Sequence, residues 1–161
     1  MKKRGLAGAK VWMMFASLLI GALMGPAEAV ERSRGQRLFL PVYSEVAYGD
    51  RRAVLNLAVT LALRNLDPLI TIELTRVDYI GSTGAVIKSF LAEQRGLKAM
   101  AAETFVIRES DRTGGASPGF LVEWASREPV IPPLVEGVMV NGAYNQGMAF
   151  VTSARVLWDK P

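Results

Sequence analysis

Residues 54–64 read VLNLAVTLALR, and their large apolar residues fall on alternate positions. Leu or Val occupies every second position from Leu55 to Leu63, whereas Asn, Ala, Thr or Arg occupies the positions between and after them. Successive side chains of a β-strand point to opposite sides, so this period of two predicts a strand with one buried face. A helix would scatter the same five residues around its axis. The segment therefore predicts a domain built on β-sheet.

The residues that follow predict a turn and then a hairpin. Asn65-Leu66-Asp67-Pro68 ends the first strand, because Asx side chains cap the backbone and proline presets φ. The apolar phase of residues 70–80 shifts by one residue near 75–76, which indicates a β-bulge. The turn Gly81-Ser82-Thr83-Gly84 then joins 70–80 to 85–91 as a predicted hairpin.

Extended segments are predicted along most of the remaining chain. Residues 37–43 contain Pro41, which favours the edge of a sheet because proline cannot donate to a ladder. A short helical turn is expected near 91–96, and the proline-rich segment REPVIPP at 127–133 is expected to be extended. The other predicted strands span residues 103–109, 119–125, 134–140 and 148–158.

The pattern as a whole predicts an all-β protein of about eight short strands. Residues 37–161 are expected to form a single antiparallel β-sandwich of the immunoglobulin-like kind, with a barrel as the alternative. Phe120, Val122 and Trp124 share one face of their strand and are predicted core residues. The polar residues 30–36 are expected to be a flexible lead-in.

The first 29 residues have the three parts of a secretory signal peptide. A basic start, MKKR, precedes the apolar run VWMMFASLLIGALM of residues 11–24, and an Ala-Glu-Ala site ends at Ala29. This run of 14 residues is short for a membrane span, which needs roughly 20. Cleavage is therefore predicted between Ala29 and Val30, with an uncleaved anchor as the alternative. The mature chain is expected in the periplasm, or secreted, with the signal peptide as its sole membrane contact.

The composition of the predicted mature chain limits its chemistry. The full chain of 161 residues has a formal charge of +4, but the signal peptide carries +3 of it. A nearly neutral mature domain predicts no binding of nucleic acid. The chain has neither cysteine nor histidine, which excludes disulfides, Cys/His zinc sites and Ser-His-Asp triads. No cofactor, metal or catalytic residue is predicted.

Several segments resemble one family of exported bacterial proteins. They include LFLPVYSEVAYGDRR (38–52), ITIELTRVDYIGSTGAVIKSF (70–90) and FVIRESDRTGGASPGFLVEW (105–124). Together with LNLAVTLALRNLDP and PPLVEGVMV, they cover nearly the whole predicted mature chain and are similar to domain of unknown function 3124. The resemblance implies a small exported domain and no assigned activity.

Two loops and a set of aromatic residues are the candidate partner surface. The loop 109–115 offers oxygen atoms, and its residues Asp111, Thr113, Gly114 and Gly115 could form a cation site, an anion nest or a structural turn. Tyr48 lies in a predicted loop, and Tyr144, Asn145 and Gln146 lie in another. The aromatic residues that could form a stacking platform are Tyr43, Tyr48, Tyr79, Tyr144, Trp124 and Trp158.

The signal peptide, the all-β pattern and the poor catalytic inventory predict a non-catalytic envelope module. Its partner is expected to be a protein or a glycan of the envelope, and its oligomeric state is left open. One alternative is a small hydrolase that uses a pair of carboxylates, for which Glu73, Asp78, Glu109, Glu123 and Glu136 are candidates. The other alternative is a structural protein that assembles by pairing of an edge strand.

Overall fold

The computed structural model describes residues 31–50, 53–142 and 147–161, and in these residues all regular structure is β-strand. Twelve strands follow one another along the chain. They are β1 (Ser33–Pro41), β2 (Glu45–Tyr48), β3 (Ala53–Asn56), β4 (Ala58–Arg64), β5 (Ile72–Ile80), β6 (Val86–Ser89), β7 (Arg95–Leu97), β8 (Ala102–Ile107), β9 (Gly119–Val130), β10 (Leu134–Asn141), β11 (Met148–Ser153) and β12 (Arg155–Lys160). The all-β prediction is therefore confirmed, and no helix that could cross a membrane occurs in the described ranges.

The strands pair antiparallel in three sheets. The six-stranded sheet has the order β12-β1-β9-β5-β6, and β7 also pairs with β5. The four-stranded sheet has the order β11-β10-β4-β8, and β2 and β3 form a separate hairpin. A single residue, Ala154, separates β11 in one large sheet from β12 in the other. Its amide donates to the carbonyl oxygen of Val135 at 3.0 Å, which holds the crossing against β10.

Both large sheets contribute side chains to a single apolar core. Leu57, Val59, Leu61 and Leu63 are fully buried, as the alternation of residues 54–64 predicts. From the other sheet, the predicted core residues Phe120, Val122 and Trp124 are also buried. The segment 54–64 is nevertheless divided into β3 and β4 at Leu57, where the Leu57 amide donates to the carbonyl oxygen of Ser44 at 2.8 Å.

Two local predictions are confirmed in β5. The register between β5 and β9 shifts between Leu74 and Arg76, which is the predicted bulge. Strands β5 and β6 pair antiparallel across the turn at 81–84, which is the predicted hairpin. The Gly84 amide closes this turn by donating to the carbonyl oxygen of Gly81 at 2.8 Å.

Three local predictions are wrong. The helical turn expected near 91–96 is absent from the described structure, because Arg95 and Gly96 pair with Leu74 and Glu73 of β5 and thereby gain ladder hydrogen bonds. The strand expected at a sheet edge is β1, which lies between β12 and β9. Pro41 is tolerated there because the pairing with β12 ends at Phe39.

The third error concerns the N-terminal boundary and, with it, the number of strands. Residues 33–36, expected in a flexible lead-in, are the first part of β1. Ser33 is buried, and its hydroxyl donates to the carbonyl oxygen of Lys160 on β12 at 3.0 Å. The polar sequence hid this part of the strand because its side chains form hydrogen bonds rather than an apolar pattern: Gln36 Nε2, for example, donates to Asp159 Oδ1 at 2.7 Å. The described residues contain twelve strands rather than about eight, because the predicted strands 54–64 and 148–158 are each divided in two and because β2 and β7 are too short to show alternation.

The turn after β4 is held by two buried polar side chains, Asn65 and Asp67. Asn65 Oδ1 accepts the amide of Asp67 at 2.9 Å. Asp67 Oδ1 accepts the amides of Leu69 and Ile70, each at 3.0 Å. The amide of Leu69 is the largest influence on the pKa of Asp67, which lies below its usual range even though burial opposes the shift.

Replacement of Asp67 tests this turn. A carboxyl with a lowered pKa in the folded state stabilises the protein above its unfolded pKa, and the contribution is lost as the pH falls through the folded pKa. We expect Asp67→Asn to lower the free energy of unfolding at pH 7 by about 1–3 kcal/mol and to reduce the loss of stability on acidification. Urea unfolding between neutral and acidic pH measures both. Asp50→Asn, at an exposed carboxylate, is the control; equal pH profiles of Asp67→Asn and the parent would contradict the prediction.

Candidate functional site

A row of alternating charges crosses the outer face of the six-stranded sheet. Arg37 Nε donates to Glu123 Oε1 at 2.8 Å, and Arg76 Nη1 lies 3.5 Å from the same oxygen. Arg76 Nε also donates to Asp78 Oδ2. The Ser89 hydroxyl donates to Asp78 Oδ1 at 2.7 Å and ends the row on β6.

Strand register places these residues side by side. Arg37 of β1 is the direct partner of Glu123 of β9, and Glu123 is the direct partner of Arg76 of β5. The bulge between Leu74 and Arg76 changes the side on which even-numbered residues lie, so Leu74 is buried and Arg76 points outward. The hydrogen bond to Asp78 is the largest cause of a raised pKa for Arg76, so its guanidinium stays charged.

A groove of about 230 Å³ opens at the β12 end of this row. Trp158 of β12 is the direct partner of Arg37, and its side chain is 54% exposed. The charged side chains that line the groove are those of Arg34, Arg37, Glu123 and Lys160. We call this feature the Trp158 groove.

Gly35 forms part of the floor of the Trp158 groove. A Cβ atom at this position would lie 2.8 Å from the carbonyl oxygen of Trp124, so a larger residue would have to displace the backbone of β9. The register of β1 and β9 shifts between Ser33 and Gly35, and that of β1 and β12 shifts between Arg37 and Leu38. The extra residues at these shifts lie on the strands that flank β1, at 126–129 of β9 and at Leu157 of β12, and they shape the edges of the groove.

The Trp158 groove combines an apolar ring with charged hydrogen-bonding groups. An indole offers a flat apolar face to a ligand, and arginine offers a planar fork of donors. Arg34, Arg37 and Lys160 outnumber Glu123, so the groove favours a ligand with negative charge. Such a site can bind and orient a ligand; it presents no nucleophile with an adjacent base.

The loop between β8 and β9 contains the sequence-predicted residues Asp111, Thr113, Gly114 and Gly115. Asp111 Oδ1 accepts both the amide and the hydroxyl of Thr113, at 2.9 and 2.6 Å. The Thr113 hydroxyl is the largest cause of a lowered pKa for Asp111. This carboxylate thus closes its own turn. Among the described residues, no three acidic side chains gather where they could hold a metal ion.

The glycines of this loop fit closely against neighbouring turns. The carbonyl oxygen of Gly114 accepts the amide and the hydroxyl of Ser82, at 2.7 and 2.9 Å, and the carbonyl oxygen of Gly115 accepts the hydroxyl of Ser44. Gly115 has a φ of 74°, which favours glycine. These contacts fit the structural-turn interpretation of the loop better than a ligand site.

The structure does not gather the remaining predicted residues into one site. Tyr48 is half-exposed on β2, in the separate hairpin. Tyr144, Asn145 and Gln146, and the cleavage residues Ala29 and Val30, lie outside the described residues.

Sequence reasoning included Trp158 among the aromatic candidates and Glu123 among the carboxylates, but it missed Arg34, Arg37 and Lys160. The alternating phase of β1 and β9 identifies Arg37 and Glu123 as outward residues. Only the register between distant strands reveals that they meet.

Comparison with known proteins identifies the class of the chain. A family model described as "Protein of unknown function (DUF3124)" matches residues 35–157, so the chain belongs to this family and the sequence resemblance is confirmed. No curated protein matches the chain. The crystal structure of Thermotoga maritima 1070 is similar over 74% of this chain and 92% of that one, with 10% identity and a TM-score of 0.45.

Replacement of Gly114 tests the packing of the loop. An alanine Cβ at this position would lie 2.1 Å from the hydroxyl oxygen of Tyr79, which is fully buried and cannot move aside. We expect Gly114→Ala to lower the free energy of unfolding by about 1–3 kcal/mol. Gly142→Ala is the matched control, because a Cβ there meets nothing within 4 Å, and it is expected to change stability by less than about 0.5 kcal/mol. Equal effects in thermal unfolding would refute this packing argument.

Tyr79 itself provides a second test. Its buried hydroxyl has no hydrogen-bond partner among the described residues, and burial, aided by the charge of Asp111, raises its pKa to about 12. We expect Tyr79→Phe to leave stability at pH 7 within about 0.5 kcal/mol of the parent or to increase it. The parent should lose stability as the pH rises from 10 to 12, because unfolding releases the proton. Unfolding curves at alkaline pH should show a smaller loss of stability for Tyr79→Phe than for the parent. An identical loss of stability would count against the raised pKa of Tyr79.

Proposed function

We propose that this chain is an exported, non-catalytic envelope module that binds a glycan or protein partner through the Trp158 groove. The observation that carries the proposal is the half-exposed indole beside the ion-paired side chains of Arg37 and Glu123. Tryptophan is mostly buried on average, and an exposed indole offers a large flat face on which a ligand can pack.

The features of the groove favour a glycan over a protein. Specific protein interfaces cover about 800 Å² on each partner and have an apolar centre. The Trp158 groove is small, and charged side chains surround its one large exposed ring. A sugar ring can pack its C–H face on the indole while its hydroxyl or carboxylate groups accept from Arg34 and Arg37. We therefore propose an acidic saccharide as the ligand class.

The ion pairs and hydrogen bonds of the carboxylates in this row favour a binding role over hydrolysis. A glycosidase needs two carboxyl groups close to one bond, and one of them must act as an acid. Glu123 is instead shared between Arg37 and Arg76, whose nitrogen atoms lie 2.8 and 3.5 Å from its Oε1. Asp78, the next carboxylate in the row, is buried and held by Arg76 and Ser89.

The proposed location rests on the N-terminal sequence. The basic start, the apolar run of residues 11–24 and the Ala-Glu-Ala site are typical of a cleaved secretory signal. We propose cleavage after Ala29 and residence in the periplasm. A domain without cysteine needs no oxidising machinery to fold there, since it forms no disulfide.

The proposed architecture is a β-sandwich of the immunoglobulin-like kind. Its support is the pair of antiparallel sheets that share one core and the crossing between them at Ala154. In this arrangement each large sheet has one face in the core and one available for a partner.

Intrinsic fluorescence and binding measurements test the proposed function. Polygalacturonate is the acidic probe and dextran the neutral one. We expect polygalacturonate to bind and to change the emission of Trp158. We expect Trp158→Ala to weaken binding about five- to tenfold, since an aromatic contact contributes on the order of 1 kcal/mol. Arg37→Ala should weaken binding of polygalacturonate more than that of any neutral sugar.

Tyr48→Ala is the matched control, because it removes a half-exposed aromatic ring from the separate β2–β3 hairpin. It should leave saccharide binding unchanged. If neither polysaccharide binds, or if Tyr48→Ala and Trp158→Ala have equal effects, the groove is not a saccharide site.

A further inference from the structure

We infer that the outer face of the four-stranded sheet is an interface between two copies of this chain. This surface, called the apolar face below, consists of the outward residues of β11, β10, β4 and β8. It is on a different sheet from the Trp158 groove, so the inference does not depend on the proposed function.

Most outward residues of the apolar face are Val, Ala or Leu, and the polar ones are Thr60, Thr104, Ser153, Arg64 and Glu136. An antiparallel sheet with one buried face normally presents polar side chains on the other. Here one row across the four strands reads Val151, Val138, Thr60 and Val106, in which each residue is the direct partner of the next. The neighbouring row reads Ala149, Val140 and Ala58. Arg64 and Glu136 are the charged residues at outward positions of these strands.

The valines of the apolar face are exposed in the single chain. The side chains of Val151 and Val106, at the two ends of the row, are 57% and 53% exposed. Both lie on the outermost strands of the sheet, whereas the smaller Thr60 lies on a central strand. A continuous apolar surface of this kind on a soluble domain is typical of an interaction site.

A two-fold axis can bring the rows of two copies together. An axis parallel to the strands and midway between β10 and β4 places β11 of one copy over β8 of the other, and β10 over β4. Val151 then faces Val106 of the second copy, and Val138 faces Thr60. The same residues recur on both sides, as an isologous contact requires.

The two charges of the apolar face agree with the same axis. Glu136 is the direct partner of Ala62, which lies two residues from Arg64 on β4. The axis therefore brings Glu136 of one copy close to Arg64 of the other. Among the described residues, neither side chain takes part in an ion pair within its own chain. Two equivalent ion pairs would thus border the apolar contact and fix its direction.

The size of the face indicates a weak dimer. Four strands spaced about 4.8 Å apart, with about 3.3 Å for each residue, give roughly 430 Å² of flat surface for each copy. The pair would bury roughly 860 Å², which is in the range of weak and transient interfaces. We therefore expect dissociation in the micromolar range and a dimer that is evident only at high protein concentration.

Sedimentation equilibrium of the purified protein over roughly a hundredfold range of concentration tests the inference. The mass should rise from that of a monomer to that of a dimer. Val151→Lys should weaken association by at least about tenfold, because it places an unpaired charge against Val106 of the second copy. Val156→Lys is the matched control: Val156 is equally exposed but lies on β12 in the other sheet, and its replacement should have no effect.

Charge reversal distinguishes this geometry from nonspecific association. Glu136→Lys alone and Arg64→Glu alone should each weaken the dimer by like-charge repulsion, and the double variant should restore it. A monomer at all concentrations would overturn the inference, because the apolar face would then not bind a second copy of this chain. A dimer that Val151→Lys does not weaken, or that the double variant does not restore, would also overturn it. The two proposals can fail separately. A protein that binds saccharide but stays monomeric would contradict the dimer and leave the proposed function intact.

Discussion

The apolar core between the two large sheets is the constraint on which the rest of the structure depends. The chain has no cysteine, so no disulfide limits the unfolded state, and burial of apolar area is the main source of stability. Each strand of the large sheets can supply the core from one face only. Leu57, just before β4, and the odd-numbered residues Val59, Leu61 and Leu63 of β4 are all fully buried.

Because the core uses one face of each large sheet, the other two faces can differ in character. The six-stranded sheet presents a row of ion pairs from Arg37 to Asp78. The four-stranded sheet presents Val and Ala in the corresponding outward positions. The first face is suited to water and charged ligands, and the second loses free energy while it is exposed. The two outer faces therefore differ in the surroundings that suit them, although both sheets contribute to the core in the same way.

The sequence predicted those features that depend on neighbouring residues. Alternation in 54–64, the Asx-Pro turn at Asp67 and the phase shift near Arg76 each depend on a few consecutive side chains, and the structure contains all three. Local patterns did not predict the neighbours of β1, because β12 and β9 come from distant parts of the chain. The candidate site was missed for the same reason: Arg37 and Glu123 are 86 residues apart in sequence, and only strand register joins them.

Three of the four register shifts in the six-stranded sheet lie near the candidate site. The β1–β9 and β1–β12 pairs shift at Ser33/Gly35 and Arg37/Leu38, and the β5–β9 pair shifts at Leu74/Arg76. The fourth shift, at Tyr79/Ile80, lies in the β5–β6 hairpin. Each leaves ladder groups unpaired or misaligned, which reduces stability in a fold that already lacks disulfides. The shift in β5 turns Arg76 outward to Glu123, and the shifts along β1 lie beside Gly35 and the Arg37–Trp158 pair. A regular sheet would bury the same core without this groove. The three shifts near the groove therefore determine the shape of the outer surface at this place rather than the packing of the core.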